Sequence, residues 1–161
     1  MKLKKSWLYV GAGILVLALI AFFALRGDNS HSNEDILNIN LREHTNLALH
    51  IHPHLSMTIN GQEYPVPANI GISPSGMRVI HTHEPDGNLH VEAPTPHQFY
   101  LGDFFEIWGK RFTKECIFEF CEDAEHDLRF YVNGQETDLG PDIPLYDLDQ
   151  IEIVYGVRED Q

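Results

Sequence analysis

The chain has 161 residues, with 11 lysines and arginines against 24 aspartates and glutamates, ten histidines, and a formal net charge of −13. That balance argues against nucleic acid as a partner, because phosphate recognition runs on clustered lysine and arginine. The length accommodates one hydrophobic core comfortably, and not two.

The N-terminus carries Lys2, Lys4 and Lys5, then an uncharged, largely apolar run over residues 7–25, closed by Arg26 and Asp28. As a helix this run measures about 28 Å, close to the roughly 30 Å of a bilayer core. A cleavable signal peptide has a shorter apolar region and small residues before the cut. Here the run ends on Ala21-Phe-Phe-Ala-Leu-Arg, without that pattern and without a lipoprotein cysteine. The first reading is an uncleaved single-span signal anchor over residues 1–26, and the alternatives are a cleaved signal and a buried core helix. Lysines before the span and a single arginine after it keep the N-terminus cytoplasmic and place the remainder outside the plasma membrane. Beyond Arg26, seven positive and 24 negative residues leave a formal charge of −17. Such a surface favours solubility, concentrates cations and disfavours anionic lipid head groups.

Residues 27–46 are polar and read as a stalk, with one short helix around 36–44. The exported domain, residues 47–161, changes to short runs punctuated by Asn60-Gly61, Asp86-Gly87 and Asn133-Gly134, the dipeptides that hairpin turns favour. It reads as mainly β (α+β), compact and hairpin-rich, with one short helix near 102–109.

From Leu47 to Ile59 apolar residues hold the odd positions, while His50, His52, His54, Ser56 and Thr58 hold the even ones. Period two is the mark of a half-buried strand, so the three histidines of "HIHPH" are expected on one face. Pro53 cannot donate to a ladder and implies an edge or a bulge. Met57 falls on the apolar side, as a core residue. A second histidine group, "HTHEPDGNLHVE" at 81–92, reads as a hairpin about Asp86-Gly87. A two-residue or four-residue loop there sets His83 opposite His90 and His81 opposite Glu92, all on one face. A one-residue slip would break that square. Glu84 points to the other face. His31, His44, His97 and His126 read as structural or exposed.

In "GDFFEIW", residues 102–108, Phe104, Ile107 and Trp108 share a helical face, and Gly109 is a stop. Cys116 and Cys121 suit an oxidising compartment and read first as a disulfide, with thiolate ligands or a labile redox pair as alternatives. A disulfide at this spacing demands a bend between the two cysteines. There is no nucleophile elbow, phosphate loop or dinucleotide fingerprint. The His-x-His pair followed by a glutamate has a cupin-like flavour, but Glu92 lies further from His83 than the cupin motif requires.

The end of the chain, "LRFYVNGQETDLG" then "LYDLDQIEIVYG", resembles the tail of β-grasp domains, without the terminal Gly-Gly of the sulfur carriers. Nearly the whole exported part resembles a family of small membrane-anchored bacterial and archaeal proteins. Its patterns are "HIHPHL" (50–55), "NG(Q/E)…PANIGI" (60–72), "HTH…HVE(A/S)P" (81–94) and "LGDFF(E/D)IWG" (101–109). That resemblance implies a shared domain and supplies no function.

Two His-x-His pairs, a further histidine and a glutamate on matching faces suit a transition metal, since imidazole is the commonest metal ligand. His81, His83 and His90 are the first candidates, then His52 and His54, then His50, with Glu92 as the carboxylate. Copper(II) or zinc fits such donors. The expected role is metal binding or handover. The alternatives are an extracytoplasmic metalloenzyme, cupin-like or redox, and a pH-sensitive interaction module without metal.

Overall fold

A computed structural model describes residues 36–158. The expected membrane anchor, the start of the stalk and His31 lie outside the described residues. Within them, no helix is long and apolar enough to cross a membrane. The domain is mainly β with one regular helix. Its strands are β1 (Leu49–Ile51), β2 (His54–Ile59), β3 (Gln62–Glu63), β4 (Ile72–Ser73), β5 (Gly76–Met77), β6 (Ile80–His81) and β7 (His90–Ala93). Helix α1 (Leu101–Trp108) follows, then β8 (Cys116–Ile117), β9 (Phe120–Cys121), β10 (His126–Val132), β11 (Gln135–Thr137) and β12 (Gln150–Val157).

A five-stranded sheet runs β11-β10-β12-β2-β3, and a three-stranded sheet runs β1-β7-β6. In the larger sheet the central pair, β12 and β2, is parallel, while β3 and β11 are hairpin partners at the two edges. Those hairpins turn at Asn60-Gly61 and Asn133-Gly134, and all four residues have positive φ, as the dipeptides predict. Leu55, Met57 and Ile59 of β2 are buried beside Leu128 and Phe130 of β10 and Ile151 and Ile153 of β12. The alternation seen in the sequence is the inward face of this sheet.

Helix α1 packs onto the same core. Leu101, Phe104 and Phe105 are buried at i, i+3 and i+4, and each large apolar side chain so buried contributes about 1.5–3 kcal/mol. The backbone N–H of Tyr100 donates to Asp103 Oδ2 at 2.8 Å, and Gly109 ends the helix at φ 68°. Burial raises the pKa of Asp103. The inward face centres on Phe104 and Phe105, and the expected partners Ile107 and Trp108 are only partly buried.

Two expectations need correction. The stretch read as the end of a stalk is packed, with Leu37 and Leu41 in the core and Asn40 accepting from the Met77 N–H. The single strand expected over 47–59 is two strands in two different sheets. The chain leaves β1 after Ile51, passes His52 and buried Pro53 outside either ladder, and enters β2 at His54. Proline supplies no N–H, so the ladder ends where the chain changes sheet. The disulfide joins Cys116 and Cys121 across the β8–β9 hairpin, whose bend contains Phe118 at φ 55°.

Candidate metal centre

Strand β7 lies between β1 and β6 and turns His90 and Glu92 to one face. Its alternate residues, Val91 and Ala93, go to the core. On one side His50 stands opposite Glu92, and its Nε2 lies 3.1 Å from Glu92 Oε1. His52, one step past the end of β1, brings its ring 4.7 Å from that of His90. On the other side His81 stands directly opposite His90, with the rings stacked at 5.3 Å. His83, past the end of β6, sets its ring edge-on to both His81 and His90, at 4.9 and 4.6 Å. Four imidazoles therefore gather around that of His90.

Candidate ligand atoms of His81, His83 and His90 all lie within 4.8 Å of one another, and so do those of His50, His52 and His90. The first triad is the inner one. His81 has no exposed surface, and its Nδ1 lies 3.0 Å from the Arg78 carbonyl oxygen. A carbonyl only accepts, so Nδ1 carries the proton and Nε2 presents a lone pair. That Nε2 is buried and has no hydrogen-bond partner. Burial, aided by the neighbouring His83, His90 and His50, lowers the His81 pKa from 6.5 to about 4. His90 is lowered too, first by burial and then by His83 and His52, with Glu92 opposing. Both shifts favour the neutral ring, the form that ligates.

The outer triad is wetter. The side chains of His50 and His52 keep 51% and 38% of their exposure, enough for hydrated ions to reach them. A cleft of about 360 Å³, lined by His52, His83, His90, Glu84, Asp86 and Leu148 among others, opens beside both triads. Two further carboxylates stand on the outer side, Glu92 against His50 and Asp147 with Oδ1 3.9 Å from His52 Nδ1.

The chain matches no family model, no curated protein and no solved structure.

The structure brings together His50, His52, His81, His83 and His90 and leaves one expected ligand aside. His54 opens β2 in the other sheet, and its Nε2 lies 2.9 Å from the Asp86 carbonyl oxygen, so it braces the 85–87 loop. Glu92 faces His50, and not His81 as the sequence implied. The register causes this, because β6 and β7 pair His81 with His90, two residues from the expected match of His83 with His90. Buried Thr82 explains the shift. Its N–H donates to the Ile70 carbonyl, its carbonyl accepts from Asn69, and its hydroxyl bonds Pro67 and Ile70. The chain thus leaves the ladder after His81, and residues 82–89 form a long loop against residues 53–55. A two-residue slip preserves side-chain parity, so the imidazoles still meet on one face.

His44 is exposed, His97 packs its ring against Phe99, and His126 bonds Asp123 and stacks on Tyr155. Sequence reasoning missed Asp147, Leu148 and the Arg78 carbonyl. No local signal connects the "YDLD" turn to His52 or marks a backbone oxygen as the partner of His81.

Proposed function

We propose that the domain is an extracytoplasmic binding module for a transition metal ion, copper(II) or zinc, held by His81, His83 and His90 and acting in metal binding or handover. The observation that carries this reading is His81 Nε2, a buried ring nitrogen with its lone pair free and its other nitrogen fixed on a backbone carbonyl. Leaving such an acceptor unpaired costs about 1–3 kcal/mol. Ring orientation by a second hydrogen bond is what metal-bound histidines characteristically have. A bond length of about 2.0–2.1 Å to zinc requires modest ring rotations that draw the three nitrogens together. The ion would supply Lewis acidity, and the protein would supply neutral imidazoles, a fixed tautomer and an acidic surround. The low pKa of His81 weighs against a pH-sensing patch, whose histidines must change charge near neutrality.

A metalloenzyme is the second reading, and one observation favours it. The cleft is lined by His52, His83 and His90, so a bound ion would have room beside it for water or a small substrate. The charge asymmetry of the N-terminus supports a membrane-anchored protein with this domain outside. The hairpin of β10 and β11 followed by β12 supports the β-grasp likeness of the tail.

The test is elemental analysis and copper(II) and zinc titration of the full chain in detergent, purified without a histidine tag. One tightly held ion per chain, held much more weakly in His81→Ala, is expected. No ion retained and no shift in unfolding midpoint with either metal would overturn the reading.

A further inference from the structure

His90 belongs to both triads, and this shared membership has a consequence for how an ion moves. Three nitrogens around His90 in one triad are His81 and His83 with His90 itself; in the other they are His50 and His52 with His90. The rings of His52 and His83 both lie within 4.7 Å of the His90 ring, one on either side of it. The inner triad joins fully buried His81 to exposed His83 and half-buried His90, whereas the outer triad consists of exposed His50, half-buried His52 and His90, so His81 is the one ring of the five with no solvent access. Carboxylates lie on the outer side, with Glu92 on His50 and Asp147 near His52, and none faces His81 in an ion pair among the described residues.

We infer that the two triads are two stations for a single ion, an outer capture site and an inner holding site joined through His90. This rests on the reading of the inner triad as a metal site. A hydrated cation arriving in the acidic surround can meet the open rings of His50 and His52, flanked by Glu92 and Asp147, but cannot reach buried His81 directly. It then exchanges His50 and His52 for His83 and His81 one ligand at a time, with His90 always in reach. The step is ligand exchange alone, with no change of oxidation state. The reverse order releases the ion to an acceptor docked at the outer histidines. A single ion, held through one shared imidazole, distinguishes this arrangement from two independent sites.

The experiment loads the full chain, in detergent, with copper(II) added alone, and follows ligand-field absorbance by stopped flow and occupancy by equilibrium titration. Wild type should bind one ion and load in two phases, a fast capture followed by slower transfer. The double variant His50→Ala/His52→Ala should still bind one ion with nearly unchanged affinity but lose the fast phase. His50→Gln/His52→Gln, which keeps the surface polar, should behave the same way. His81→Ala should keep the fast phase and hold one ion more weakly. Two ions bound at once would overturn the shared-ion relay. So would an outer double variant that loads like wild type, or one that loses affinity as severely as His81→Ala. Failure of wild type to bind any ion would instead overturn the proposed function itself.

Discussion

Replacing His81 by leucine separates a ligand from a structural histidine, because the two roles give opposite signs. In the metal-free protein the substitution removes a buried, unpartnered Nε2, whose cost is about 1–3 kcal/mol, and also the Nδ1 bond to Arg78, worth about 1 kcal/mol. The net expectation at pH 7.5 is no change, or a gain of up to about 2 kcal/mol, a few degrees in unfolding midpoint for a domain of this size. The pH dependence should change as well. The folded-state pKa of His81 is about 4 against 6.5, so the unfolded chain binds a proton that the native chain refuses. The stabilisation is complete above pH 6.5 and is lost as pH falls towards 4, by about 3 kcal/mol at roughly 1.4 kcal/mol per unit. His81→Leu should remove that part of the acid loss. Finally, free metal at about one hundred times its dissociation constant stabilises wild type by about 2.7 kcal/mol, and the variant should lose this gain. Thermal unfolding with and without copper(II) or zinc, repeated from pH 7.5 to 4, reads all three effects. A variant that loses several kcal/mol at neutral pH yet keeps the metal-induced shift would refute the reasoning.

Three further outcomes follow from the geometry. Gly71→Ala sets a Cβ 2.5 Å from the Ile80 carbonyl oxygen and 3.2 Å from His81 Cβ, at φ +71°, so it should cost about 1–3 kcal/mol and weaken metal affinity together; calorimetric titration showing unchanged affinity would separate the glycine from the site. His54→Ala should loosen the 85–87 loop, seen as faster hydrogen exchange there, while the metal-induced midpoint shift stays as in wild type. Reduction of the Cys116–Cys121 disulfide should lower stability by about 2 kcal/mol, and denatured protein should show no labelled thiol until reductant is added.

Much of this domain was legible in its residues, and the misses share a cause. Alternation at Leu55, Met57 and Ile59 marks a strand because the inner face of a sheet must be apolar at every second residue. The Asn-Gly turns are legible because few other residues tolerate positive φ. The change of sheet at His52-Pro53 was hidden, because the same period of two continues on both sides of the break. The hairpin register was hidden because Thr82 is fixed by residues 67–70, contacts that no local pattern announces. Parity survived the error, which is why His81, His83 and His90 still converge. The pairing of His81 with a backbone carbonyl and of His52 with Asp147 depends on tertiary approach alone.

The fastening of His52 ties the ligand face to the order in which the fold is completed. Its N–H donates to Asp147 Oδ1 at 2.9 Å, and its carbonyl accepts from the Leu148 N–H at 3.3 Å. One proline later, β2 begins its parallel ladder with β12, the last strand among the described residues. Pairings between segments so distant in sequence form late, because the connecting loop must be closed before they are rewarded. Three strands of two to four residues, as in β1, β7 and β6, are too short to hold together unaided. A nascent chain that has emerged only to residue 146 therefore already contains every histidine of the cluster, yet lacks both partners of the His52 backbone, the Asp147 carboxylate and the Leu148 N–H, and the strand that anchors β2. The proposed capture of metal by the outer histidines thus depends on residues more than ninety positions away in sequence, and cannot precede their arrival.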